Sequence, residues 1–447
     1  MRYLLIFFLA ACQLNPKPNS KKVVLISIDG FRPEFYQDKK FDAPLLKKLA
    51  SKGVSSQGMI SIFPSVTYPN HTTLITGVNS EEHGIYSNKK FNWKTGPTTE
   101  WYWYEKDIKT KTLWDELKEK KKTTASIHWP VTAGAPIDYN VPEIFTLPPW
   151  NTDETFVLVN RHGTKDLAYK INKKRKLKPY TNMKEADVWG VEALKYLYEE
   201  YSPEFSALHI IYADKNQHET GRNSEQTKKA VKWIDRLITP LVQTLDDKTC
   251  LMIVGDHGFM DYRKVIHINA LFLKKGWIKL DENGELASFQ VIAQISGGQA
   301  AIYLKDQKIK DLVTRTLRQN QKLGYQIVSK KDLRRLEAFP EAIAALSAKD
   351  GFSFGGHIKG PVIKILDKIK GQHGHLPHQK KMQTGFIGHN CNLKPIDTSF
   401  SNLRIAPTIK KYLGVKLSAK EIPLDFKSIQ KFQLLKKPKG DSTKKPE

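Results

Sequence analysis

Three apolar runs frame this chain: VVLISI within residues 21–28, FSALHIIYA at 205–213 and TCLMIV at 249–254. Each is short, rich in β-branched residues and apolar on both alternating faces. That pattern predicts strands buried on both sides, as in a parallel sheet. Between them the spacing changes to three and four. Leu45, Leu46 and Leu49 lie on one face of a helix opened by Asp42-Ala-Pro44 and stopped by Gly53. Leu113, Trp114 and Leu117 mark a helix over 112–122, and Val188, Val191, Leu194 and Leu197 another over 183–200. A long helix is predicted from Asn223 to about Leu245, with Asn223 and Gln226 as a capping box. Residues 124–127 read as a short strand, and RIAPTIKKYL, ended by Gly414, as a closing helix. Strand–helix alternation of this kind predicts an α/β fold, a central mostly parallel sheet with helices on both faces. The periodicity fades twice. Residues 140–180 are basic and read as a surface excursion; residues 261–370 read as an inserted smaller lobe over the sheet, with AIYLKD as a strand and 308–319 as a helix.

The ends of the chain add a location. MRYLLIFFLAAC places one charge, Arg2, before a short apolar run, the form of a secretory signal. Leu9-Ala10-Ala11-Cys12 has the form of a bacterial lipobox, which makes residues 1–11 a signal peptide and Cys12 the lipidated first residue. The expectation is an exported, membrane-anchored lipoprotein of the cell envelope or periplasm. A linker over 12–20 leads to one catalytic domain over 21–430, and a Lys-rich tail over 431–447 reads as disordered. Cys250 and Cys391 are the remaining thiols, which excludes a disulfide framework and leaves one bridge open. With 72 Lys+Arg against 46 Asp+Glu the formal charge is +26. Runs such as KEKKK and INKKRKLK lack interleaved arginines and aromatics, so no dedicated nucleic-acid partner is expected. A broad pull on anionic substrates is. A monomer is the favoured state.

Chemistry concentrates where strands end. Asp29 follows the first strand, Asp214 the second, and Asp256-His257 the third, the positions where open α/β sheets place ligands. His218 lies four residues after Asp214, one helical turn or a tight loop away, and His373 sits in GQHG. Mixed carboxylate and imidazole donors suit zinc, with manganese or another transition metal as alternatives. In PSVTYPNHTTLITG, Thr67 stands before a segment that can start a helix. It is either a plain N-cap or a nucleophile that two metals activate. Asn88 follows in a polar loop, and Phe91, Trp93, Trp101, Tyr102, Trp103 and Tyr104 form either a rim or a satellite cluster pinning a loop.

SIDGFRP, PSVTYPNHTTLITG, HGIYSN, DKNQHETG, GDHGF and GQHG, in this order, resemble the bacterial nucleotide pyrophosphatase/phosphodiesterases of the alkaline phosphatase superfamily. The resemblance implies an alkaline-phosphatase-like fold and two zinc ions, one on Asp214, His218 and His373, the other on Asp29, Thr67, Asp256 and His257. It makes Thr67 the nucleophile, Asn88 the oxyanion-binding asparagine and Tyr68 the ring lining the leaving-group pocket. The implied activity is hydrolysis of a phosphodiester or nucleotide pyrophosphate, releasing a 5′-nucleotide through a phosphothreonine. A phosphomonoesterase or phosphonate hydrolase, a lipid head-group phosphodiesterase, and a non-catalytic anion-binding lipoprotein are the alternatives. His375 and Gly388-His389-Asn390 depart from the family pattern, and no Cys/Ser-x-Pro-x-Arg sulfatase signature stands at the nucleophile.

Overall fold

The computed structural model describes residues 20–146 and 151–427. Cys12, the signal segment and the Lys-rich tail lie outside the described residues.

Seven strands form the central sheet. In chain order they are β1 (Lys22–Ile28), β2 (Val54–Ser55), β3 (Thr124–Ile127), β4 (Tyr139–Val141), β5 (Phe205–Ile210), β6 (Thr249–Val254) and β7 (Phe386–His389). Their spatial order is β2-β7-β6-β1-β5-β3-β4. The five strands from β6 to β4 are parallel, and β7 and β2 add an antiparallel edge. The apolar runs are continuous because both faces are covered. On one face Val24, Ile26 and Ile28 join a core with Trp189, Leu194, Ile234 and Ile238. On the other, Val23 and Leu25 pack with Leu74, Ile75, Trp114 and Ile409. Side chains buried to this degree contribute about 1.5–3 kcal/mol each.

The helices that matter for the site are α1 (Pro44–Lys52), α2 (Thr67–Thr76), α3 (Met183–Tyr201), α4 (Tyr212–Thr220), α5 (Glu225–Thr244) and α6 (Ile405–Tyr412). Several expectations are revised. The cap of α5 is Ser224, whose side chain accepts from Thr227 N–H, so the capping box on Asn223 and Gln226 does not form. Asn223 instead accepts from the buried Arg32 guanidinium. On α3, Val191, Leu194 and Leu197 are buried as expected, but Val188 is exposed and Trp189 takes its place in the core. Residues 151–180, expected as part of a surface excursion, contribute to the main core. Helices Thr152–His162 and Leu167–Arg175 insert Phe156, Val159, Leu167, Ala168 and Ile171 into the main core, with the lysines of the second helix outward. The basic composition masked a sparse but sufficient apolar stripe.

The segment between Met260 and Gln372 has its own apolar core around Ile302, Tyr303, Leu346 and Phe272. Its main sheet is four-stranded and antiparallel, and a three-stranded sheet lies beside it. The aromatic stretch divides. Phe91 stacks on Tyr303 of this lobe at 3.9 Å, whereas Trp101, Tyr102 and Trp103 pack around Tyr68, Ile85 and Val131. It is a pinning cluster, not an open rim. His375 is fully buried beside Gly298 and the Phe352 carbonyl, and burial lowers its pKa to about 4. Cys250 on β6 is disulfide-bonded to Cys391, just beyond β7.

Candidate active site

Thr67 is the first residue of α2, and Val66, in extended conformation, occupies the cap position. The hydroxyl is therefore not spent on capping. It lies 3.4 Å from His257 Nε2 and is nearly enclosed. Asn70, one turn along, holds the approach to α2. Its amide donates to the Pro64 and Val66 carbonyls while its Oδ1 accepts from Ile62 N–H and from Asn402. The cap alternative for Thr67 thus fails locally, and a hydroxyl is left facing donors.

Those donors arrive from distant parts of the chain. Asp29 follows β1 and Asp256-His257 follow β6, as expected. Asp214 and His218 instead sit on α4, because β5 ends at Ile210 and the helix begins two residues later. One helical turn brings His218 Nε2 within 3.2 Å of Asp214 Oδ1. His373 is delivered by the last strand of the lobe, Ile363–Gln372, and its Nε2 lies 3.8 Å from Asp214 Oδ1. His257 Nε2 lies 3.2 Å from Asp29 Oδ1 and 3.1 Å from Asp256 Oδ2. The rings of His257 and His373 stack at 3.6 Å. Gly30 joins the halves: its N–H donates to Asp256 Oδ1, its carbonyl accepts from Gln217, and its φ is +66°. A Cβ there would meet the Phe259 ring at 2.6 Å, so only glycine fits.

The donor set fits divalent metal ions. Asp214, His218 and His373 form one group whose donor atoms lie within 4.8 Å of one another; Asp29, Asp214 and His257 form a second. Asp29 Oδ1, Asp214 Oδ1 and Asp256 Oδ2 are buried without a hydrogen-bond partner. Among the described residues, the ion-pair partners found for these carboxylates are all imidazoles. Burial, with the Asp256 and Asp214 charges, pushes the Asp29 carboxyl well above its usual range. Burial likewise raises Asp256. Burial is also the largest single influence on Asp214, but the charges of His218, His257 and His209 and the His218 hydrogen bond together outweigh it and leave that carboxyl lowered. Cations placed among the orphaned oxygens remove this repulsion. The histidines are preset: His218 Nδ1 faces the Gly371 carbonyl at 3.0 Å and His373 Nδ1 the Ser65 carbonyl at 3.2 Å, leaving each Nε2 as a donor.

Asn88 Oδ1 accepts from Tyr68 N–H at 3.0 Å, which leaves its amide N–H₂ to donate. Tyr68 itself is buried, its ring 5.3 Å from that of Trp101 and its hydroxyl donating to Glu143 Oε1 at 2.8 Å. Motif reading passed over four neighbours: Asn70, His71, Glu143 and His209. His71 Nδ1 lies 2.9 Å from the Thr67 carbonyl, and its ring packs 4.3 Å from that of His209. Asn70 and His71 stand inside the quoted motif and could have been flagged; Glu143 and His209 had no local signal.

A mostly parallel α/β sheet with mixed Asp/His donors at its strand ends and a helix-start hydroxyl is an alkaline-phosphatase-like architecture. Residues 23–375 match the type I phosphodiesterase / nucleotide pyrophosphatase family, and the chain belongs to it. The mouse ectonucleotide pyrophosphatase/phosphodiesterase family member 1 is 24% identical over 265 residues, 56% of this chain and 25% of that protein. Mouse family member 7 is 26% identical over 271 residues, 57% of this chain and 54% of the relative. The chain thus spans a quarter to about half the length of these curated relatives. Among solved structures, murine ectonucleotide pyrophosphatase / phosphodiesterase 5, an inactive form in complex with AMP, superposes with a TM-score of 0.64 at 17% identity. That match covers 91% of this chain and 97% of the other. These relatives are animal proteins, so a bacterial assignment rests on the lipobox alone.

Proposed function

We propose that this chain is an exported, zinc-dependent phosphodiesterase or nucleotide pyrophosphatase that releases 5′-nucleotides through a phosphothreonine. The observation that carries the reading is Thr67: a helix-start hydroxyl not spent on capping, 3.4 Å from Nε2 of His257, a member of one of two donor groups that share Asp214. Asp214, His218 and His373 would hold one ion; Asp29, Asp256, His257 and Thr67 the other. When bound, a zinc pair supplies Lewis acidity, lowering the pKa of the alcohol and neutralising phosphoryl charge.

The chain's own groups do the rest. α2 aims the Thr67 hydroxyl at the phosphorus, and Asn88 donates to a non-bridging oxygen as charge builds there. The Thr67 oxygen forms the new P–O bond while the leaving alkoxide or phosphate departs; water then hydrolyses the phosphothreonine and restores the hydroxyl. The AMP bound to the family 5 relative supports a nucleotide product. The Cys250–Cys391 bridge supports export, because disulfides persist in oxidising compartments. Lipidation at Cys12 of a bacterial envelope protein belongs to the same proposal.

The test compares a nitrophenyl phosphate diester with the monoester, with zinc present and after chelation. The diester should be faster, and both chelation and Thr67→Ala should abolish turnover. Chelation-insensitive turnover, or unchanged turnover in Thr67→Ala, overturns the mechanism; a monoester preference overturns the diesterase assignment and favours the phosphomonoesterase. Cys12→Ser should release the protein from membranes, and retention there would count against the anchor.

A further inference from the structure

Asp29 is held from behind. Its Oδ1 faces His257 and lacks a hydrogen-bond partner, while its Oδ2 lies 3.1 Å from His209 Nε2. The other ring nitrogen, Nδ1, lies 2.8 Å from Glu143 Oε2. The second oxygen of Glu143 accepts from the Tyr68 hydroxyl at 2.8 Å. Four side chains therefore form one continuous hydrogen-bonded line, Tyr68–Glu143–His209–Asp29. All four are buried, none more than 8% exposed. Each ring nitrogen of His209 therefore faces a carboxylate oxygen, and the imidazole is gripped from both ends.

The fold makes this line possible and gives it stiffness. His209 sits on β5 opposite Ser27 of β1, so Asp29, two residues on, falls on the same side of the neighbouring strand. Glu143 follows β4, at the sheet edge, and reaches back over β3 to His209. Tyr68 comes from the first turn of α2, directly after Thr67. The line thus begins one residue from the nucleophile and ends on a carboxylate of the nucleophile-side donor set. A second strut runs alongside it: His71, packed against His209, lies 2.9 Å from the Thr67 carbonyl and 3.6 Å from Asp256 Oδ2. By contrast Nδ1 of His218 and of His373 each faces a backbone carbonyl and not a side chain.

We propose that Glu143 and His209 are positioning residues of the nucleophile-side metal site. They clamp Asp29 through Oδ2 so that Oδ1 is presented toward Thr67 and His257, and Tyr68 ties the clamp to the nucleophile's own helix. Neither residue touches substrate. A carboxylate free to rotate would exchange its two oxygens, costing metal affinity and misplacing the hydroxyl; supporting partners of this kind are worth about 10–100-fold in metal affinity or activity. The inference rests on the two-metal reading above.

The test uses the full chain and reads metal binding before activity. Zn²⁺ is titrated against a competing chelator into wild type, His209→Gln and Glu143→Gln, with thermal melts and steady-state kinetics on the same samples. The expected result is one weakened site of the two, by about 10–100-fold, with kcat falling more than KM. Tyr68→Phe, which removes only the hydroxyl, should weaken the same site less and is the variant safest for folding. Two sites of wild-type affinity in both His209→Gln and Glu143→Gln overturn the proposal. Equal weakening of both sites also overturns it, since that marks general loosening of the fold. A wild-type chain that takes up fewer than two zinc ions overturns the two-metal reading itself, and this inference with it.

Discussion

The two donor groups that meet at Asp214 are built differently. The Asp214, His218 and His373 group lies toward the surface: the His218 side chain is 30% exposed and Asp214 15%. Its members come from one turn of α4 and from the return of the lobe, and backbone carbonyls orient its imidazoles. The Asp29, Asp256 and His257 group is almost sealed, comes from the ends of β1 and β6, and leans on a network of side chains. A helix turn presents donors four residues apart with little help from elsewhere. Donors on separate strands need the whole sheet, and a buried carboxylate needs partners for each oxygen. The exposed group is suited to admitting a metal and a substrate oxygen, the sealed one to holding a nucleophile still.

The largest effect that would sharpen this division is at Thr67. Thr67→Ala should cut turnover by a factor on the order of 10⁴ or more while leaving two metals bound, because the hydroxyl supplies the chemistry and the surrounding donors the affinity. Metal content measured alongside turnover checks both halves; loss of a metal in this variant would mean that Thr67, and not the Asp and His donors, carries that ion's affinity. Asn88→Ala comes next, with a fall in kcat of about 10²–10³-fold and a smaller change in KM, as for loss of one oxyanion donor. A KM effect alone would place Asn88 in ground-state binding.

Chelation tests the difference in exposure directly. Metal should leave in two phases, the fast one abolished by His218→Ala and the slow one unaffected. A single phase would mean the two groups behave as one unit. The smallest effect concerns the support of α4. Asp187 accepts from the N–H groups of Ile211 and Tyr212, both at 2.9 Å, and so anchors the start of the helix that carries Asp214 and His218. Burial outweighs those bonds and raises its pKa from 3.8 to about 7. A folded-state pKa above the unfolded one means the contribution is fully present below about pH 4 and is lost as pH rises through about 7. In metal-free protein, the melting temperature of wild type minus Asp187→Asn should therefore shrink between pH 4 and pH 8. A gap that widened with pH would show that the ionised carboxylate is the stabilising form.

The same division separates what could be read from the chain and what could not. The strands ending at Asp29 and Asp256, the one-turn spacing of Asp214 and His218, and the motif around Thr67 all depend on neighbours within a few residues. Where local signal was weak, reading failed: the Leu167–Arg175 helix carries three buried apolar residues among its lysines. Asn223 and Ser224 compete for one cap, and the hydroxyl that reaches the Thr227 N–H wins. His375 looked like a change at the site and proves to be part of the lobe's packing.

By itself the sequence determined a two-sided parallel sheet, the metal-donor residue types at its strand ends and the family to which they belong, because periodicity and motif spacing are local properties. Tertiary structure alone decided that the Thr67 hydroxyl is not spent on capping, that Asp214 stands between the two groups, and that Asp29 is clamped by His209 and Glu143. His209 lies 180 residues from Asp29 and 66 residues from Glu143 along the chain. No local pattern records a hydrogen bond across such a separation; it exists only once the sheet has brought β1, β5 and the end of β4 together.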